Sequence, residues 1–120
     1  MKSFSPTSPS RRSFTAVEYR KLLTGDKPYR KLLKKLHDNA GRNSAGRITQ
    51  RHQGGGNKKM YRVWDNKQNK LNSSFVIETV EYDPYRTAFI SLIKYEDGTK
   101  SYILTPHGVS KGAKLFIAES

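Results

Sequence analysis

From Gly41 to Lys59 the chain reads GRNSAGRITQRHQGGGNKK, with five glycines, five Lys or Arg and no acidic side chain. A segment this basic and this poor in large apolar residues cannot bury enough surface to fold compactly alone. It dominates a basic half. Residues 1–64 hold 16 of the 23 Lys and Arg but 3 of the 10 Asp and Glu, which accounts for the whole net charge of +13. Residues 65–120 hold 7 of each sign and are neutral. A glycine-punctuated cationic stretch joined to a neutral, strand-rich one implies an arm that orders on a polyanion, with nucleic acid the first candidate.

The 120 residues allow one domain plus an extension. The absence of cysteine excludes disulfides and thiolate zinc sites. No apolar run approaches the roughly 20 residues that span a bilayer, and the N-terminus lacks the apolar region of a secretory signal. Met1 to Val17 is Ser-rich and acid-free with Arg11 and Arg12, like a mitochondrial transit peptide, but Pro6 and Pro9 oppose the amphipathic helix such a peptide needs. The sequon Asn72-Ser73-Ser74 has no secretory context to make it meaningful.

Residues 1–13 are expected to be extended, and Phe14 to Leu23 to include one short helical turn ending near Gly25. Tyr29, Leu32, Leu33 and Leu36 have the spacing of one helical face, with Arg30, Lys31, Lys34 and Lys35 opposite. That spacing predicts a helix over 28–36, capped by Asp26, with Pro28 in its first turn and its leucines docked on the domain. The ten residues from Lys27 to Leu36 that carry this pattern are short for a membrane-surface helix. Beyond Lys58 the composition favours strands at 58–65, 75–82, 87–95, 100–105 and 113–117, separated by turn residues at 66–72, Asp83-Pro84, Asp97-Gly98 and 106–108. Five short strands without a long helix predict a mainly β fold, a five-stranded OB-like barrel over 58–120 behind an extended arm over 1–57.

Residues 41–48 have the glycine spacing of a phosphate-binding loop, but Arg47 stands at the lysine position and Ile48 where a hydroxyl would hold magnesium, so nucleotide hydrolysis is excluded. His37, His52 and His107 lack metal-ligand spacing. Glu78 and Glu81 are expected on opposite faces of a strand, and turn chemistry explains Asp83. No acid, base and nucleophile converge, so the chain does not read as an enzyme.

The basic run has a direct physical use. Arg42, Arg47 and Arg51 offer planar forks for phosphates, and Gly54, Gly55 and Gly56 let backbone amides approach them closely. Asn43 and His52 can hydrogen-bond base edges or 2′-hydroxyls. Lys58 and Lys59 extend the cationic surface toward Arg62. The competing reading is a solvated charge run, against which Ile48 and Thr49 stand as a strand-like interruption.

These residues resemble one family, the universal second protein of the large ribosomal subunit. Pro6 to Arg12 is similar to its PTSPGRR, Gly41 to Thr49 to GRNxxGRIT, and Arg51 to Gly56 to RHRGGG with Gln53 in place of a basic residue. Tyr61-Arg62 with Asp65 fits YRxxD, Glu81 to Ala88 resembles EYDPNRSA, and Tyr95 to Pro106 resembles YxDGxKRYILAP. The resemblance covers nearly the whole chain. It implies an OB-like barrel behind an arm threaded among RNA helices, with Arg11, Arg12, Arg42, Asn43, Arg47, Arg51, His52, the three glycines and Arg86 on large-subunit ribosomal RNA. Other large-subunit proteins are implied neighbours, and no cofactor is implied beyond magnesium that accompanies RNA.

Family members continue into an SH3-like barrel, so the end at Ser120 raises the expectation of a separate chain supplying that half, or of its loss. Pro6 to Arg12 belongs to the family's mature start, which argues against a cleaved leader and for synthesis in an organelle, the mitochondrial matrix before the plastid, or in a bacterial cytoplasm. The alternative is a non-ribosomal OB-type single-stranded RNA binder that stacks bases on Tyr61, Tyr82, Tyr95 and Tyr102.

Overall fold

The structure, a computed structural model, describes residues 1–24, 27–66 and 70–118. In chain order its strands are β1 (Lys2–Ser3), β2 (Thr15–Ala16), β3 (Leu33–Lys34), β4 (Tyr61–Arg62), β5 (Ser73–Glu81), β6 (Ile90–Tyr95), β7 (Lys100–Leu104) and β8 (Lys114–Ile117), with one short helix, α1 (Tyr19–Leu22). The fold is mainly β, and every pairing between these strands is antiparallel. Asp26 and Gly25, and part of the expected 66–72 turn, lie outside the described residues.

Four strands form the main sheet in the order β7-β6-β5-β8. The nine-residue β5 is the organising strand: its first half pairs with β8 and most of its length with β6. The β6–β7 turn forms as the Asp-Gly pair requires. Gly98 adopts φ +82°, and its amide donates to the Tyr95 carbonyl at 3.0 Å.

Both faces of this sheet are covered. Phe75, Ile77, Val80, Ile93, Tyr95, Ile103 and Ile117 form the larger core, joined by Leu23, Phe89, Val109 and Leu115. On the other face Ile90, Leu92 and Tyr102 meet Tyr29, Leu32 and Trp64. That is why β6 reads as a nearly unbroken apolar run rather than an alternating one.

Three local expectations are corrected. The helix over 28–36 does not form; Arg30–Leu32 make one 3-10 turn and the chain then extends into β3. Leu33 pairs with Arg62, so the backbone groups a helix would use go to β4 instead. The expected strand over 58–65 shrinks to Tyr61–Arg62, because its partner β3 is only two residues long. Finally, a register shift between Ile77 and Thr79 makes Glu78 a bulge residue. Ile77 and Val80 therefore enter the same core, while Glu78 and Glu81 share the face of Lys100 and Tyr102 instead of opposing each other.

The arm does not fold back onto this sheet along its whole length. The radius of gyration is 19.1 Å, against roughly 13.6 Å for a compact chain of this size.

Candidate nucleic-acid interface

The acid-free run forms a loop of fixed shape. The amides of Thr49 and Gln50 both donate to the Gly41 carbonyl, at 2.9 and 3.2 Å, and Arg42 bridges Ile48. The strand-like character of Ile48 and Thr49 has this origin. Inside the loop, the Asn43 side-chain oxygen accepts the amides of Ala45 and Arg47, at 3.1 and 2.9 Å. Asparagine is suited to this because its short side chain mimics a backbone carbonyl. Asn43 thereby serves the loop's own geometry with the oxygen that could otherwise read a base.

Two glycines are required by contact rather than by flexibility alone. Gly41 has φ +70°, and a Cβ there would collide with the Gln50 carbonyl oxygen. Gly54 has φ +112°, and its Cβ would lie 2.9 Å from that of Ala40. Gly55 and Gly56 face open space.

Arg42 is drawn inward. Its Nη1 donates to the Ala40 carbonyl and reaches the Gln53 carbonyl at 3.4 Å, tying the two ends of the loop together. Arg47, Arg51 and His52 are exposed on the same loop, and their side chains make no hydrogen bond or ion pair among the described residues. His52 also holds a left-handed φ of 60°, uncommon for a non-glycine residue. Lys58 and Lys59 continue this exposed basic surface.

Arg11 and Arg12 belong to a separate small unit closed by β1 and β2, where the Arg11 guanidinium lies 5.6 Å from the Phe4 ring centre. Arg62 is half-buried, with Nη1 donating to the Met60 carbonyl at 2.8 Å. Arg86 is largely enclosed. Its side chain is 16% exposed, and its Nη1 is paired with the fully buried Asp83 carboxylate. The Nη2 donates to the Tyr61 hydroxyl at 3.0 Å, and the guanidinium lies 5.1 and 5.0 Å from the rings of Tyr61 and Trp64. These contacts occupy much of the fork that sequence reasoning offered to phosphate.

The aromatic platform of the alternative reading is not assembled. Tyr102 is fully buried and Tyr95 is 4% exposed, so neither offers a face to a base. Burial raises the phenol pKa of both. Sequence reasoning missed Tyr85, which is 41% exposed with Lys59 over its ring at 5.2 Å. The turn signal at Asp83-Pro84 marked its position but not its neighbours.

Residues 29–117 match the family described as ribosomal proteins L2, RNA binding N-terminal domain. The chain is 48% identical over 119 residues to a large ribosomal subunit protein uL2 of Rickettsia canadensis, and 47% identical to those of Rickettsia massiliae and Rickettsia rickettsii. Each alignment covers 99% of this chain and 43% of the relative, so the chain spans less than half the length of these curated relatives. With three-quarters of its length inside the family match, the chain belongs to the ribosomal protein L2 family.

Proposed function

We propose that the chain is a structural, non-catalytic component of the large ribosomal subunit that binds and organises large-subunit ribosomal RNA. The extended basic arm, 1–57, enters between RNA helices, and the sheet domain, 58–120, sits beside them among other large-subunit proteins. The observation that carries this reading is the loop from Ala40 to Gly54. Its shape is fixed by backbone hydrogen bonds, and it presents Arg47, Arg51 and His52 outward. A loop whose backbone is already fixed loses little backbone entropy when its exposed Arg47 and Arg51 forks meet phosphates.

Arg11, Arg12, Arg47, Arg51, Lys58 and Lys59 are proposed phosphate contacts, with Gly55 and Gly56 allowing close backbone approach. Arg42, Asn43, Gly41 and Gly54 shape the loop, and Arg62 and Arg86 support the edge of the sheet domain. The role calls for no cofactor of the chain's own, any magnesium being that which accompanies RNA. The bacterial relatives support a bacterial-type subunit, in a bacterial cytoplasm or a mitochondrial matrix.

Sedimentation of the native protein tests the proposal. It should cofractionate with large subunits at low salt and be released by high salt. Migration as a free protein at every ionic strength would overturn the ribosomal role.

A further inference from the structure

We propose that Tyr85 is a stacking site for one unpaired RNA base, with Lys59 meeting the adjoining phosphate. The site depends on the RNA-binding role above and adds a base contact to it. Tyr85 is 41% exposed, yet it is held from several sides. Its amide donates to Asp83 Oδ1 at 3.0 Å, and its ring meets the Tyr61 ring edge-on, with centroids 5.6 Å apart. Tyr61 is in turn fixed by Arg86, and Arg86 by the buried Asp83. An exposed ring fixed through a buried ion pair is ordered before its ligand arrives.

The cation beside it supplies the second half of the site. Lys59 ends the acid-free run, is exposed, and carries its ammonium 5.2 Å from the Tyr85 ring centre. An exposed cation–π contact is weaker than a stacked base. A base therefore displaces the ammonium, whose flexible stem carries it to the phosphate next to that base. The other exposed rings lack this combination. Tyr82 is packed edge-on against Tyr19, and no cation lies over it among the described residues. Phe116 has no ring partner among the described residues to fix it.

Stacking requires an unpaired base, so the test uses two probes: a short oligouridylate and a fully paired RNA duplex, each titrated with the full 120-residue chain. Tyr85→Ala should weaken binding to oligouridylate by roughly 5- to 150-fold and leave its salt slope unchanged. Duplex binding should not move, and Tyr85→Phe should retain wild-type affinity. Lys59→Ala should lower the single-strand salt slope by about 0.7, one contact's worth. Equal loss on both probes, or no loss on either, would overturn the stacking site. If the wild-type chain bound neither RNA, the RNA-binding role itself would fall; normal wild-type binding indifferent to Tyr85→Ala would remove the stacking site alone.

Discussion

The Tyr102 hydroxyl donates to Glu81 Oε2 at 2.9 Å across the intervening strand, and both side chains are buried. The same hydroxyl accepts the Tyr29 amide at 2.8 Å. One phenol thus ties the middle of the arm, at Tyr29, to the sheet, 73 residues away in sequence.

Tyr102→Phe removes the acceptor of the Tyr29 amide and one of two hydroxyl donors to the buried Glu81 carboxylate, which keeps only Thr79 at Oε1. Leaving such groups unsatisfied costs about 1–3 kcal/mol, to be read as a lower midpoint in urea denaturation. The pH dependence has a definite sign. Burial raises the phenol pKa in the folded chain above the unfolded value, which lies near 10. The unfolded chain therefore loses this proton first, so stability is intact below about pH 10 and falls as pH rises toward the folded value. Tyr102→Phe should lack that alkaline component.

The Arg86–Asp83 pair is expected to matter more than any exposed ion pair. Arg86→Ala leaves a fully buried carboxylate without its cation, a change that costs about 3–5 kcal/mol. In a domain whose total stability is of the order of 5–15 kcal/mol, that is a large fraction. Arg86→Lys should rescue little, because one ammonium cannot serve both Asp83 and Tyr61. Urea denaturation of the two variants is the measurement, and wild-type stability in Arg86→Ala would refute a supporting role.

An acid-side expectation concerns Asp97. The hydrogen bond from Lys70, followed by those from Thr99, lowers its pKa to about 2. A carboxylate depressed in the folded state stabilises above its unfolded value, near 3.8, and that contribution is lost as pH falls toward about 2. In an NMR titration Asp97 should titrate near 2, and Lys70→Ala should move it back toward 3.8. An unchanged midpoint in that variant would refute the assigned cause.

Much of this architecture is legible in the residues, and the parts that are not share a physical origin. β5 to β8 are readable because β-branched and aromatic residues cluster between strong turn signals, of which Asp97-Gly98 is the clearest. The spacing of Tyr29, Leu32, Leu33 and Leu36 misleads because a 3-10 turn followed by a strand also places Tyr29 and Leu32 on one apolar surface. Leu36, which a helix would have buried, is 49% exposed. The bulge at Glu78 leaves no local signature, and it reverses the face of every residue after it. At the loop, residue types pointed to phosphate chemistry. The inward turn of Arg42 and the burial of Arg86 depend on carbonyls and carboxylates that only the folded chain brings near.

The loop glycines should separate by position. Gly41→Ala meets both a left-handed φ and the Gln50 carbonyl, whereas Gly46, at φ +76°, has nothing within 4 Å. Both substitutions incur the left-handed penalty of roughly 1–2 kcal/mol, and only Gly41→Ala must also move the backbone. Filter binding to large-subunit ribosomal RNA should therefore show a greater loss for Gly41→Ala, with the far-UV circular dichroism of the sheet unchanged in both.

The salt dependence of RNA binding is the most discriminating measurement for the arm. If about 6–8 phosphates are neutralised, the slope of log affinity against log salt should be roughly −4 to −7. Arg47 and Arg51 carry exposed side chains that serve no hydrogen bond or ion pair among the described residues. Each change to Ala should therefore flatten the slope by about 0.7–0.9, one contact's worth, without disturbing the fold. Arg42 should behave differently. Its Nη1 holds the carbonyls of Ala40 and Gln53, so Arg42→Ala loosens the loop as well as removing a charge. The expected signature is an affinity loss larger than its slope change explains, and Arg42→Lys should recover the slope but not the affinity. Equal behaviour of all three arginines would mean that Arg42 contributes charge alone, and the clip between the two ends of the loop would have no energetic weight in RNA binding.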